Sequence, residues 1–252
     1  MPANPRPRIA IPMPHSIDRE YAERAIPQYE HAVAQAGGEA VRIPVDRTPG
    51  EVLKMIETCD AVLLPGSNAD VDPERFGATP SPQSAAPDPQ RDAVDELLLR
   101  DAYELRKPIL GICYGLQSLN VFRAGSLIQH IPDFLPEYLR TRVDHEAGKA
   151  VPVAHDVEVE KDSRLARIVA AGETRVVPVN SSHHQSADAI GEGLRISARC
   201  TDDGIIEALE GTDPDHFVLA LQWHPERSVD EEEASRAIFR ALIEAAEGRD
   251  RR

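Results

Sequence analysis

The sequence predicts an α/β fold with a central, mostly parallel sheet flanked by helices. Three observations carry that expectation. Short apolar runs alternate with helical patterns from Arg8 onward, in the order strand, helix, strand, helix, strand. One of these runs, Ala61-Val62-Leu63-Leu64, is apolar at every position, as a strand covered by helices on both faces must be. The stretch Gly111-Ile112-Cys113-Tyr114-Gly115 reads G-x-C-x-G between an apolar run and a helical pattern. That is the setting of a tight strand-to-helix elbow, which exposes a reactive side chain.

The elements follow in order. Arg8 to Ile11 is a first strand, and Ile17 to Ala36 a helix that Gly37-Gly38 stops. Val41 to Val45 is a second strand. Thr48 caps a short helix from Pro49 to Thr58, with proline at its first position. After the strand Ala61 to Leu64, residues Gly77 to Gln90 form a loop rich in proline, alanine and serine, long enough to serve as a lid or as a plain surface loop. From Asp92 a helix places Val94, Leu97, Leu98, Ala102 and Leu105 on one apolar stripe. Pro108 to Ile112 is the strand that delivers Cys113 at its carboxyl end, where open α/β sheets bind ligands. Beyond Gln129 the texture becomes polar and proline-bearing. His155 to Glu160 alternates as an edge strand does, Ser163 to Ala171 is a short helix, and further strands span Val176 to Val179, Leu194 to Ala198, Ile205 to Leu209 and Val218 to Leu221. Val229 to Glu247 closes the chain as an amphipathic helix with Ala234, Ile238, Ala241, Leu242 and Ala245 inward.

A chain of 252 residues can bury a core without disulfides. No linker divides it, so one domain is expected over residues 8–248, preceded by a flexible tail over residues 1–7. That tail has no apolar segment of the signal-peptide type. The formal net charge of −15 argues against nucleic acid or an anionic membrane as main partner. No run approaches the ~18 apolar residues of a membrane span. The cysteines Cys59, Cys113 and Cys200 form no framework and no C-x-x-C pair, which suits a reducing cytoplasm.

The chemistry concentrates at three places. Cys113 sits between glycines at the amino end of a helix, where the dipole favours thiolate; Cys59 and Cys200 have no such surroundings and read as structural. His224 follows the apolar strand Phe217 to Leu221, and Pro225 holds it extended. Glu226, two residues on, then points to the same side and fixes the imidazole tautomer. A thiol, an imidazole and a carboxylate in these contexts point to covalent acyl transfer. The tetrahedral intermediate needs N–H donors, and the backbone of Tyr114 and of Gly66, in the turn Leu64-Pro65-Gly66-Ser67, can supply them. Asn180-Ser181-Ser182-His183-His184-Gln185 is a polar cluster open to three readings: substrate clamp, solvated loop or metal site. Adjacent histidines seldom share one zinc ion and no Cys/His spacing completes a site, so no metal is expected. Asp70 to Glu74 begins like a calcium loop but has Arg75 where glycine belongs. No phosphate-binding G-x-x-x-x-G-K-[ST] motif occurs.

These motifs resemble the class I glutamine amidotransferase superfamily and, within it, the γ-glutamyl-γ-aminobutyrate hydrolase (peptidase C26) family. The matching stretches are Ala36-Gly37-Gly38, Leu64 to Ser67, Arg91-Asp92, Gly111 to Gln117 with Leu119-Asn120-Val121, Val179 to Gln185, Asp203 to Ala208, and Gln222-Trp223-His224-Pro225-Glu226. The resemblance implies a flavodoxin-like core and a Cys113-His224-Glu226 triad. It implies Gly66 and Tyr114 as oxyanion donors, and Gln117, Ser182 and His183 around a glutamyl head group. It implies hydrolysis of γ-glutamyl amines through a glutamyl thioester, with a small γ-glutamyl molecule as partner and no cofactor; a homodimer is compatible with it. The rival within the superfamily is a glutaminase subunit that feeds ammonia to a separate synthase. An α/β-hydrolase would place the acid well before the histidine, against the order His224-Pro225-Glu226. A relative that only binds would not need the triad. Two positions depart from the hydrolase branch: Tyr114 stands where arginine is common, and Ala124-Gly125 where paired glycines are common.

Overall fold

The computed structural model describes residues 6–169 and 175–249. The start of the expected tail and the end of the helix expected over residues 163–171 therefore lie outside the described residues. The chain begins β1 (Arg8–Pro12), α1 (Arg19–Gln35), β2 (Glu39–Ile43), α2 (Pro49–Ile56), β3 (Ala61–Leu64). It continues α3 (Pro89–Glu104), β4 (Ile109–Ile112), α4 (Tyr114–Phe122), β5 (Leu127–Ile128), α5 (Ile131–Phe134). Then come β6 (His155–Val159), α6 (Arg164–Val169), β7 (Val176–Val179), β8 (Ser186–Ala187), β9 (Leu194–Cys200), β10 (Ile206–Gly211), β11 (Val218–Leu221) and α7 (Glu233–Arg249).

A 9-stranded sheet has the order β2-β1-β3-β4-β11-β10-β9-β6-β7. Its first five strands pair in parallel. They follow the flavodoxin-like doubly wound order. From β11 outward every pairing is antiparallel. The sheet is thus mixed, with parallel core strands flanked by helices. On one face α1 and α7 pack Ile26, Val33, Phe239 and Leu242 onto Ile9, Ile11 and Leu63. On the other, α2, α3 and α4 pack Val52, Leu98 and Leu116 onto Ala10, Val62 and Leu64. The all-apolar β3 is buried at each position, as two covered faces require.

Several expectations are corrected. β6 is an interior strand between β9 and β7, so β7 is the edge; the in–out alternation of β6 follows its burial all the same. α1 begins at Arg19 because the Asp18 carboxylate accepts the Tyr21 N–H and caps it. α3 begins at Pro89 behind an Asp88 cap, and Leu105 ends it half exposed rather than in the stripe. On α7 the buried apolar residues are Ile238, Phe239, Leu242, Ile243 and Ala246, a stripe rotated from the one expected, because the larger side chains take the core and Ala234, Ala241 and Ala245 lie at its margin. The 77–90 loop is tied down: Asp70 accepts the Ala85 N–H, and Gln129 accepts from Ser81 and Ser84. Among the described residues, no helix is long and apolar enough to cross a membrane.

Candidate active site

Three adjacent strands deliver the site. β4 lies between β3 and β11, and in register Leu64 stands beside Gly111 and Leu221 beside Ile112. The next residues along each strand therefore emerge together at the carboxyl edge: Pro65-Gly66, Cys113, and Gln222 to His224. The Cys113 N–H donates to the Leu221 carbonyl at 2.7 Å and locks the elbow to β11.

Cys113 has φ 53° and ψ −106°, a left-handed conformation that costs a non-glycine residue about 1–3 kcal/mol. The flanking glycines make this turn sterically feasible. A Cβ on Gly115 would strike the Leu64 carbonyl oxygen, and one on Gly111 would lie 2.8 Å from the Gly115 carbonyl carbon. A Cβ on Gly66 would sit 3.0 Å from the His224 ring and 3.6 Å from the Cys113 Cβ. A side chain at Gly66 would therefore press on the His224 ring and the Tyr29 hydroxyl beside Cys113.

His224 is fixed from three directions. Its backbone N–H donates to Asn180 Oδ1 at 3.0 Å, and its carbonyl accepts from Asn180 Nδ2 at 2.9 Å. Its Nδ1 lies 2.8 Å from Glu226 Oε1, while Nε2 has no hydrogen-bond partner among the described residues. With Nδ1–H given to the carboxylate, Nε2 presents its lone pair to the cleft. The same-side placement of Glu226 is reached by a short 3-10 turn, Pro225–Arg227, rather than by an extended segment. Pro225 fits the first position of that turn, where no N–H is needed.

Burial decides the protonation states. It pushes the Cys113 thiol up to about 12, against the pull of Arg227 and the Tyr114 N–H, so the expectation of a dipole-stabilised thiolate is corrected. Burial also lowers His224, and the attraction of Glu226 only partly restores it. Burial works to raise Glu226 as well, but His224 and Arg227 outweigh it and hold the carboxyl down. The resting pair at neutral pH is thiol and neutral imidazole. A histidine whose pKa is lowered sheds its proton below the ordinary value of about 6.5. The acidic limb of kcat/KM is therefore expected to have its midpoint below pH 6.5, and a stopped assay across pH 4.5–8 checks it; a limb centred above 7 would mean that His224 rests as imidazolium.

The remaining expected site residues divide. Tyr114 presents its backbone N–H to the sulfur, whereas its side chain turns away, donates to Asp92 Oδ1 at 2.5 Å and stacks under Arg91 at 4.9 Å. The departure from arginine at this position thus falls outside the cleft. Gly66 differs from expectation: its N–H donates to the Tyr29 hydroxyl at 3.0 Å, because α1 brings Tyr29 beneath the turn. It is not free as an oxyanion donor in this arrangement. Gln117 and Ser182 line a cleft of about 300 Å³ with Cys113, His224, Lys149 and Arg227. The Gln117 amide lies 3.3 Å from Gln222 Oε1, and Ser182 Oγ accepts from Arg227 at 2.8 Å. His183 also borders the cleft, but its Nδ1 faces the Gln185 carbonyl at 2.9 Å and its Nε2 faces Glu207 at 3.5 Å. Both polar atoms are thus turned to protein, which corrects the expectation of a direct substrate contact. Cys59 and Cys200 are buried away from the cleft. Asn180 lay within the expected polar cluster without a role. Tyr29, Lys149 and Arg227 were missed, and only Arg227, next to Glu226, had a local signal.

The architecture is that of the class I glutamine amidotransferase-like fold. It superposes on a Thermoplasma acidophilum structure titled a "putative gmp synthase subunit a protein" with a TM-score of 0.63 at 14% identity, over 98% of each chain. The chain belongs to the Peptidase C26 family, whose model matches residues 11–226, and is a glutamine amidotransferase-like hydrolase acting on amide bonds. It is 41% identical to the Mycobacterium tuberculosis protein named "Putative glutamine amidotransferase Rv2859c", over 87% of this chain and 67% of that one. It is 33% identical to the γ-glutamyl-γ-aminobutyrate hydrolase of Escherichia coli K12, over 87% of this chain and 85% of that one.

Proposed function

We propose that the protein hydrolyses the γ-glutamyl amide bond of small γ-glutamyl amines, such as γ-glutamyl-γ-aminobutyrate, with Cys113 as nucleophile, His224 as base and Glu226 as its orienter. The observation that carries the reading is the convergence at one sheet edge of a strained, buried thiol and an imidazole whose inner nitrogen is held by a carboxylate. His224 Nε2 takes the thiol proton as sulfur attacks the γ-carbonyl carbon. The Tyr114 N–H, which lies beside the sulfur, is the donor we assign to the developing oxyanion once sulfur has bonded to carbon. His224 then returns the proton to the departing amine, and a glutamyl thioester remains. Water, deprotonated by the same nitrogen, releases glutamate and the thiol.

The cleft supports an anionic substrate. In a chain of net charge −15 it nevertheless carries Lys149 and Arg227 on its wall. Two cations suit the carboxylates of a glutamyl compound and Asp70, on the same wall, suits its ammonium, with Gln117 and Ser182 as polar contacts. Lys149→Met is expected to raise KM about tenfold with kcat nearly kept, as for a contact made equally in ground and transition states; initial-rate kinetics check it.

The name of the Mycobacterium relative favours a second reading, a glutaminase that passes ammonia to a synthase. A panel of γ-glutamyl amines and glutamine, assayed for released glutamate, separates the two. Turnover of the amines by the protein alone, with glutamine ignored, supports the hydrolase. Turnover of glutamine alone, stimulated by a partner, supports the glutaminase.

A further inference from the structure

We propose that a buried cluster beside the cleft binds one zinc ion through His145 Nδ1, His155 Nε2 and Glu207. His145 Nδ1, His155 Nε2 and His183 Nε2 lie 3.3, 3.1 and 3.5 Å from the same oxygen, Glu207 Oε1. The His145, His155 and Glu207 donors all fall within 4.8 Å of one another. Zinc bonds of about 2.0–2.1 Å in a tetrahedron put neighbouring ligand atoms about 3.3 Å apart. His145, His155 and Glu207 are close enough to share one centre, and His183 lies beside that set. The four residues are 5%, 6%, 4% and 0% exposed, so water does not satisfy them.

The hydrogen-bond accounting points the same way. His183 Nδ1 faces the Gln185 carbonyl at 2.9 Å and must donate to it. A neutral ring then turns the lone pair of Nε2 on the Glu207 carboxylate. His145 Nε2 faces Asp203 Oδ2 at 2.9 Å and Nδ1 faces Glu207 at 3.3 Å; against the effect of burial, the two carboxylates raise His145 to about 9, so a metal ion takes the place of the Nδ1 proton. His145 Nδ1, His183 Nε2 and Glu207 Oε2 are buried without hydrogen-bond partners. A dication held by His145 Nδ1, His155 Nε2 and Glu207 would give the unpartnered His145 nitrogen and Glu207 oxygen a bond. The contact of His145 Nε2 with the Asp203 carboxylate is of the kind that orients a metal-bound imidazole. Two imidazoles and one carboxylate suit zinc. A cleft of about 200 Å³ lined by His145 and His183, with Asp144 and Glu146, offers an entry path. Three protein ligands leave the fourth zinc position to water. The site would join β6 and β10 to His145, whose carbonyl accepts from the His183 N–H and the Ser181 hydroxyl, next to the Asn180 that braces His224.

Protons on the imidazoles are the competing source of positive charge, and metal binding itself decides between them. The test uses the purified full chain, free of added histidine tags, stripped with chelator and titrated with Zn²⁺ or Co²⁺. Expected are one equivalent bound per chain, the visible absorption of tetrahedral cobalt, and a Tm raised by several degrees on zinc addition. X-ray absorption of the zinc form should show histidine and oxygen scattering without sulfur; this needs only wild type. His155→Gln should lose the cobalt spectrum and the Tm shift. Failure of wild type to bind either metal, a sulfur shell, or an unchanged spectrum in His155→Gln overturns the proposal. None of these readouts is activity, so the outcome is independent of the reaction proposed above.

Discussion

Cys113→Ala is expected to lower kcat for γ-glutamyl amines by about 10⁴-fold or more while leaving the fold intact. Removal of a nucleophile that works as one unit with its base costs nearly the whole of the covalent route, and only binding and oxyanion contributions remain. The variant should fold because alanine is smaller than cysteine, and the loss is one sulfur at the floor of an open cleft. The strained φ of 53° persists in alanine, so the elbow geometry carries over. Steady-state kinetics with circular dichroism as control give the answer. Retention of more than a tenth of the activity would mean that the thiol is not the nucleophile.

Arg91→Leu is expected to destabilise the protein by about 3–5 kcal/mol, the cost of leaving a buried charge without its partner. Arg91 is wholly buried on α3 and pairs with Asp95, itself buried, at 2.7 Å. Its other nitrogens donate to the carbonyls of Pro14 at 3.0 Å and Pro65 at 2.8 Å. Loss of the guanidinium strands one carboxylate and two carbonyls in the interior. Burial already raises the Asp95 carboxyl, against the pull of Arg91. Pro65 precedes Gly66, so activity should fall with stability. Thermal unfolding should show Tm lowered by roughly 10 °C. The double variant with Asp95→Asn should recover part of it, because the stranded charge is then gone. A Tm within 2 °C of wild type would show that the pair contributes little.

Much of the site was legible because its chemistry sits in short local patterns. The glycines around Cys113 announce a turn that L-residues resist, and His224-Pro225-Glu226 places base and acid within one turn. The parallel half of the sheet was legible from β3 and β4, whose apolar runs fit two covered faces. What long-range packing decides was not legible. Tyr29 belongs to a helix 37 residues before Gly66, and no local signal says that its hydroxyl takes that N–H. The Cys113 protonation state follows from burial by the whole fold, which overrides the helix-terminus effect that the sequence suggested. The cluster at Glu207 draws His145, His155 and His183 from separate segments, and metal-ligand spacing rules see only ligands close in sequence. β5 and β8 are 2 residues each, too short for any period.

The most direct test of the central claim is covalent labelling with a glutamine analogue that carries a diazoketone in place of the amide. Intact-mass analysis and peptide mapping should find one adduct per chain, on Cys113, formed in step with complete loss of hydrolysis and slowed in His224→Gln. Inactivation without a label on Cys113, or a labelled Cys113 with full activity, would contradict the account.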